Sequence, residues 1–365
     1  MASAIWRSTG LSFAVGLSYA AYYAATYFAV KAQAEDFAQR WFEKLRQGQI
    51  DLILSTKPKD RRTLLEEAAG SSRLSVATSS ELSEAELEAL AEPNIAAELT
   101  PEVFEDKHRR AMAEVQRLRA AVQEARLDSL IIVGDDQKEL YHDDNMPAIL
   151  LYRGETIRNV PQTQHPGPDW ARRASAAYYE KETPRDYPVD VRLAEHLITE
   201  LMEEFDLSCA NQLTEGHGEG HAFGYVHQRV LGGAPLPVVP VFLNTYFPPN
   251  QPTPARCYKL GQAIRRAVER LPGQQRVGVI ASGGLSHFTV DPELDGRVIA
   301  ALRAKDAAAL AALPREQLNS GSSEIRNWIC MAGAVEHLAL RHIEYIPAYR
   351  TPAGTGTGLC FAHWS

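Results

Sequence analysis

From about Leu99 to the C-terminus, amphipathic stretches alternate with short apolar runs. Thr100-Pro-Glu opens the first stretch, with threonine placed to cap and proline at the first helical position, and helical spacing continues to about Arg126. Ser129-Leu-Ile-Ile-Val133 then reads as a buried strand that delivers Gly134-Asp-Asp-Gln137 at its carboxyl end. Further strands are expected at Pro147–Tyr152, Leu207–Leu213, Pro237–Thr245 and Val277–Ser282. Helices are expected at Val189–Phe205, Ala255–Leu271, Asp291–Leu313 and Glu324–Ala339, with a proline-rich loop over Phe247–Pro254. Strands alternating with helices predict an α/β fold whose mostly parallel central sheet is flanked by helices on both faces.

The preceding residues have a different texture. Ser8 to Val30 carries no charge and is bracketed by Arg7 and Lys31, a length that just spans a bilayer core. Serine, threonine, glycine and four tyrosines dilute its apolarity. A membrane anchor competes here with a signal peptide, cleaved near Ala24-Ala25 or Ala32-Gln-Ala34, and with a buried segment. Similar positive charge on both flanks leaves the orientation unset. Ala34 to Arg46 has helical spacing with Phe37, Trp41, Phe42 and Leu45 on one side, and Glu81 to Ala91 repeats it. The expected organisation is an anchor-like segment over 1–32, a helical stalk or add-on over 33–96, and an α/β domain over 97–365. The anchored reading places that domain in the cytoplasm at a membrane; the alternative is a wholly cytoplasmic protein.

The chain has 365 residues, 45% hydrophobic and 23% charged, an ordinary globular composition. A net charge of -8, with no basic stripe, argues against a nucleic-acid partner. Cys209, Cys257, Cys330 and Cys360 form no CxxC pair and read as free thiols. No GxGxxG or P-loop occurs, so no nucleotide cofactor is expected. Four polar clusters fall at strand ends or in the loops after them: Asp135-Asp-Gln137 with His142, His217-Gly-Glu-Gly-His221, Asn244-Thr-Tyr-Phe-Pro-Pro249, and His287 with Glu324. One carboxylate with several histidines at the carboxyl edge of a sheet suits a non-haem Fe(II) oxygenase. The bland readings are a helix-capping Glu324, a core His287 and a plain glycine turn around His217.

Taken together, Gly134-Asp-Asp, Asn211-Gln-Leu-Thr-Glu-Gly-His217-Gly, Leu243-Asn-Thr-Tyr-Phe-Pro-Pro249, Arg256-Cys257, Gly283-Gly-Leu-Ser-His287 and Ser320-Gly-Ser-Ser-Glu324 with Trp328 resemble the class III extradiol ring-cleavage dioxygenases of the LigB type. The resemblance covers residues from about 97 to 363. It implies Fe(II)-dependent insertion of O2 into a catechol-type aromatic such as protocatechuate or gallate. It places Glu324 at the carboxylate iron ligand, His287 at the active-site base, and His217 at a histidine near substrate or bound oxygen, with His221 close enough to share that role. Asn244, Tyr246 and Ser286 are the expected substrate contacts. A homo-oligomer or a small partner subunit is in keeping with the resemblance.

The family pattern breaks at its two histidine iron ligands. The second position reads Gln137, and no histidine precedes His108 to serve as the first. Either the protein is a catalytically silent relative that binds an aromatic ligand, or the metal site is rebuilt, with His142 substituting for Gln137 and His221 or His217 promoted to a ligand. A fused or misjoined N-terminal segment is the third explanation.

Overall fold

The computed structural model describes residues 12–15, 95–162, 175–351 and 354–365. The helices expected at 34–46 and 81–91 lie outside them. The first long helix, α1 (Pro101–Ala125), begins as expected: the Thr100 side chain accepts from the Val103 N–H and Pro101 sits in the first turn. The chain then enters β2 (Ser129–Asp135), parallel to both β7 (Val238–Leu243) and β8 (Val277–Ser282). All three strands are buried along their whole length. Ile131 and Val133 of β2 belong to one apolar cluster, Leu130 and Ile132 to the other. A strand whose successive side chains enter two separate cores is covered on both faces.

The first core is built from α2 (Val191–Leu201), α4 (Pro254–Arg270), α5 (Pro292–Ala304) and α7 (Ile325–Val335). Here α4 and α7 approach so closely that a Cβ on Gly261 would land on the Cys330 carbonyl, and one on Gly333 on that of Tyr258. The second core sets α1, the short α3 (His221–Tyr225) and a π-helical turn (Val226–Val230) against the opposite face. The expected helix at Asp291–Leu313 is broken: Lys305 takes a left-handed conformation, and Asp306 caps a new helix, α6 (Ala307–Ala311).

Among the described residues the sheet has nine strands. The order is β10 (Leu340–Tyr349), β11 (Thr355–Trp364), β1 (Ser12–Val15), β8, β2, β7, β3 (Ile149–Tyr152) and β6 (Ser208–Ala210), with β9 (His287–Thr289) paired to β11. Its centre is parallel, and three departures from the sequence reading stand out. Strand β3 runs antiparallel to β7. The ten-residue strands β10 and β11 form an unforeseen antiparallel hairpin at one edge. A second small sheet pairs β4 (Thr156–Asn159) with β5 (Arg185–Pro188).

Strand β1 bears directly on the anchor. Ser12–Val15 pairs parallel with β8 and antiparallel with β11, inside the uncharged segment 8–30. That pairing is incompatible with one continuous bilayer-spanning helix over 8–30, because residues committed to a sheet ladder cannot make helical i→i−4 bonds. Among the described residues no helix is long and apolar enough to cross a membrane.

Candidate metal centre

Parallel strands β1, β2, β7 and β8 all end on one edge, with Val15 level with Ser282. Asp135 closes β2 at that edge. After β8 the chain turns sharply at Gly283, whose φ is 140°. A Cβ there would lie 2.8 Å from Glu324 Oε2, so the turn needs glycine for both conformation and space. Glu324 ends a single 3-10 turn (Ser320–Glu324) that leads into α7, and its carboxylate makes no capping bond to that helix. It turns back instead to accept from the Gly284 N–H at 2.9 Å and from Gln137 Nε2 at 3.2 Å.

Asp135, His221 and Glu324 each offer one ligand atom within 4.8 Å of the others. Asp135 Oδ1 accepts from Asn327 Nδ2 at 3.2 Å, and Asn327 also donates to the Ser282 carbonyl at 2.8 Å. Asp135 Oδ2 is buried with no hydrogen-bond partner among the described residues. His221 Nδ1 donates to Glu139 Oε2 at 2.8 Å, which leaves Nε2 as the nitrogen available to the two carboxylates.

The electrostatics follow from this crowding. Burial, then the Glu324 charge, pushes Asp135 up to about 7. Burial likewise pushes Glu324 up to about 7, against the pull of His221. Burial alone would lower His221; the charge and hydrogen bond of Glu139, with Asp135 and Glu324 beyond, overcome it and raise the imidazole to about 10. Glu139 is lowered in return, since His221 outweighs its burial. Beside the cluster, His287 Nδ1 donates to the Leu285 carbonyl at 2.9 Å, and Nε2 lies 3.3 Å from Glu324 Oε2. Burial holds this imidazole below its ordinary pKa.

The other candidates separate clearly. Tyr246 lies within electrostatic reach of the cluster: burial holds its phenol protonated, opposed by a hydrogen bond with Ser320 and reinforced by the charges of Glu324 and Asp135. Gln137 belongs to the site, with its amide nitrogen on Glu324. His217 lies exposed in a loop against the Glu215 carbonyl at 3.2 Å, and His142 is exposed; neither joins the cluster. Asn244 closes its own loop through Phe247 and Asn250. Ser286 is fully buried and committed to Asp295 through both its N–H and its hydroxyl. Sequence reasoning missed Glu139 and Asn327. The sequence puts Asp135 in a polar cluster, while the expected metal positions are Glu324, Gln137 and His142.

A family model described as the catalytic LigB subunit of aromatic ring-opening dioxygenase matches residues 93–359. The chain belongs to this family. Gallate dioxygenase of Pseudomonas putida is 37% identical over 111 residues, 28% of this chain and 31% of that protein. The 2,3-dihydroxyphenylpropionate/2,3-dihydroxicinnamic acid 1,2-dioxygenase of Comamonas testosteroni is 25% identical over 178 residues, 48% of each chain. The chain thus spans about a third to a half of the length of these relatives. Membership in the LigB family implies a metal, and the residues present fit one. Two buried carboxylates converge with an imidazole nitrogen, and one carboxylate oxygen has no partner. A divalent cation supplies the charge and the bonds those atoms lack. The set is one imidazole and two carboxylates, unlike the two imidazoles and one carboxylate of the family pattern.

Proposed function

We propose that the protein is a ring-opening dioxygenase that acts on a small aromatic bearing adjacent hydroxyls, with Asp135, His221 and Glu324 holding non-haem Fe(II) and His287 serving as base. The observation that carries this reading is the convergence of those three side chains beside His287, in a chain of the ring-opening family. The relatives' names supply the substrate class: gallate and 2,3-dihydroxyphenylpropionate both carry neighbouring ring hydroxyls.

When bound, the iron brings O2 and the electron-rich ring together and favours the ionised form of a coordinated hydroxyl. The protein's own residues handle the proton. Because His287 Nδ1 is committed to the Leu285 carbonyl, Nε2 takes the proton from the substrate hydroxyl. Burial keeps that ring neutral and ready to accept. The Gly284 N–H and the Gln137 amide hold the Glu324 carboxylate from both oxygens. Burial keeps Tyr246 a phenol, a hydrogen-bond donor for a substrate hydroxyl. Trp328, fully buried and donating to the Gly283 carbonyl at 3.0 Å, closes the back of the turn against water.

The test is O2 uptake by the full chain, reconstituted anaerobically with Fe(II) and offered gallate, protocatechuate and 2,3-dihydroxyphenylpropionate. Uptake is expected, falling by about 10²–10⁴-fold in His287→Gln and lost in Glu324→Ala. A second reading, a silent relative that binds an aromatic without turnover, is favoured by Gln137, whose amide nitrogen rather than an imidazole faces Glu324. Calorimetric binding of these aromatics without O2 uptake in the iron-loaded protein would select it.

A further inference from the structure

The turn after β2 carries a carboxylate outside the three-residue cluster that binds one of its members. Glu139 receives three hydrogen bonds. Its Oε2 accepts from His221 Nδ1 at 2.8 Å; its Oε1 accepts from the His221 backbone N–H at 2.9 Å and from the Tyr179 hydroxyl at 3.0 Å. One carboxylate therefore holds both the main chain and the ring of a single histidine. The approach depends on Gly220, where a Cβ would lie 2.5 Å from Glu139 Oε2. It depends as well on Asp136, whose two oxygens accept from the Leu140 and Tyr141 N–H groups at 3.0 and 3.1 Å and so shape the turn that presents Glu139. Three elements distant in sequence thus converge on the orientation of one ring.

We propose that Glu139 is the positioning residue of the metal centre: it fixes His221 as an Nε2 donor and thereby supplies the single imidazole of a one-histidine, two-carboxylate site. The physical case is tautomeric. A neutral imidazole carries its proton on either nitrogen, and only the form protonated at Nδ1 presents a lone pair at Nε2. Glu139 Oε2, an acceptor in line with Nδ1, selects that form and raises the basicity of the other nitrogen. Its second oxygen accepts from the backbone N–H of the same residue, so one carboxylate fixes the main chain and the ring together. His217, four residues earlier, has the Glu215 carbonyl as the one ring partner among the described residues and is exposed. The difference between the two histidines is Glu139. This assignment rests on Asp135, His221 and Glu324 as the ligands, and is independent of the reaction they support.

The test measures metal binding without substrate. Mn(II) is titrated into the metal-free full chain and the free ion is read by electron paramagnetic resonance. Nitrogen-15 NMR of the Zn(II)-loaded protein reports the His221 tautomer. Glu139→Ala is expected to weaken Mn(II) binding about 10–100-fold and Glu139→Gln less, since Gln retains one acceptor oxygen. In both, His221 loses its uniform Nδ1–H signature. Tyr179→Phe removes one of the three donors while leaving the carboxylate, so it reads the same effect at smaller size if the alanine variant fails to fold. Mn(II) affinity within about twofold of wild type in all three variants, with the tautomer unchanged, overturns the assignment. Binding that depends on Glu139 in a protein that opens no ring leaves the assignment standing and removes the dioxygenase reading. Ring opening with affinity indifferent to Glu139 does the reverse.

Discussion

The run Glu219-Gly220-His221 feeds two carboxylate–imidazole pairs that point in opposite directions. Forward, His221 pairs with Glu139 at 2.8 Å, with 20% and 26% of the side chains exposed. Backward, Glu219 pairs with His227 at the same 2.8 Å, and both side chains are fully buried. The bond is the same; the far side of the ring differs. The His221 ring has two carboxylates within reach and its Nδ1 already committed to Glu139, whereas His227 Nε2 is buried with no partner among the described residues. The His227 ring is instead stacked on Tyr187, with centroids 4.1 Å apart, and Asn159 donates to Glu219 at 2.7 Å. A histidine is chemically useful only where its second nitrogen has something to act on. By that measure the forward pair fits the proposed metal centre and the backward pair is a brace.

The brace carries the largest expected effect. Glu219→Ala leaves His227 in an apolar site without its carboxylate, and removing one partner of a buried pair costs about 3–5 kcal/mol. Glu139→Ala, in a pair open to solvent, costs about 1 kcal/mol in stability and acts on metal affinity instead. Urea denaturation of both variants measures this directly. A larger loss for Glu139→Ala than for Glu219→Ala would mean that the two pairs have been assigned the wrong way round.

Nothing in the spacing His217-Gly-Glu-Gly-His221 separates these roles, because the deciding partners are remote. Glu139 lies 82 residues before His221, and its own neighbours give it no helical or strand periodicity that marks it as special. The turn that carries His287 was legible because a glycine-rich stretch after a fully buried run announces the end of a strand. The central strands were legible for the same reason: both faces are buried, so Val277–Ser282 and its neighbours read as unbroken apolar runs. The hairpin of β10 and β11 was hidden. Leu340–Tyr349 mixes arginine, histidine, glutamate and proline along a half-buried edge, and β11 contains glycines placed for close packing rather than for turns. A Cβ on Gly358, for example, would collide with Asp295. The end of β2 and the turn after it send both Asp135 and Gln137 toward Glu324, and only Asp135 offers a carboxylate oxygen to the cluster, a difference the family pattern does not specify.

A buried carboxylate with no imidazole partner sharpens the comparison. Asp295 accepts from the Ser286 N–H, the Ser286 hydroxyl and the Tyr345 hydroxyl at 2.8, 2.7 and 2.6 Å. Burial nevertheless pushes it up to about 6, opposed by those bonds and reinforced by the Asp291 charge, whereas Glu139 is lowered by its imidazole. The sign follows from proton linkage. The unfolded chain releases this proton near 3.8 and the folded chain near 6, so stability is fully present below the lower value and is lost as pH rises through the upper one. The loss amounts to at most about 3 kcal/mol. The stability advantage of wild type over Asp295→Asn, measured in urea, is therefore expected to shrink between about pH 4 and about pH 7. An advantage that holds constant or grows across that range would show that the three hydrogen bonds, not burial, govern this carboxylate.

Two glycines four residues apart give the finest separation of the brace from the proposed metal centre. A Cβ on Gly224 would land on the Tyr178 carbonyl, with Asn159 Nδ2 3.1 Å away. Backbone cannot yield there, and Asn159 is the residue that ties Glu219 to the Tyr178 carbonyl. A Cβ on Gly220 would press the end of the Glu139 side chain, at 2.5 Å, with Asp136 Oδ1 in ordinary contact at 3.7 Å, and Gly220 has an ordinary extended backbone that alanine adopts without strain. Gly224→Ala should therefore lower stability by about 1–3 kcal/mol, as overpacking against fixed atoms does. Gly220→Ala should leave stability within about 0.5 kcal/mol while weakening Mn(II) binding, because the flexible carboxylate is pushed off His221. The pair is read by thermal melts together with the metal titration. If Gly220→Ala destabilises as much as Gly224→Ala and binds Mn(II) normally, Glu139 belongs to the brace, and the metal-facing orientation of His221 has another cause.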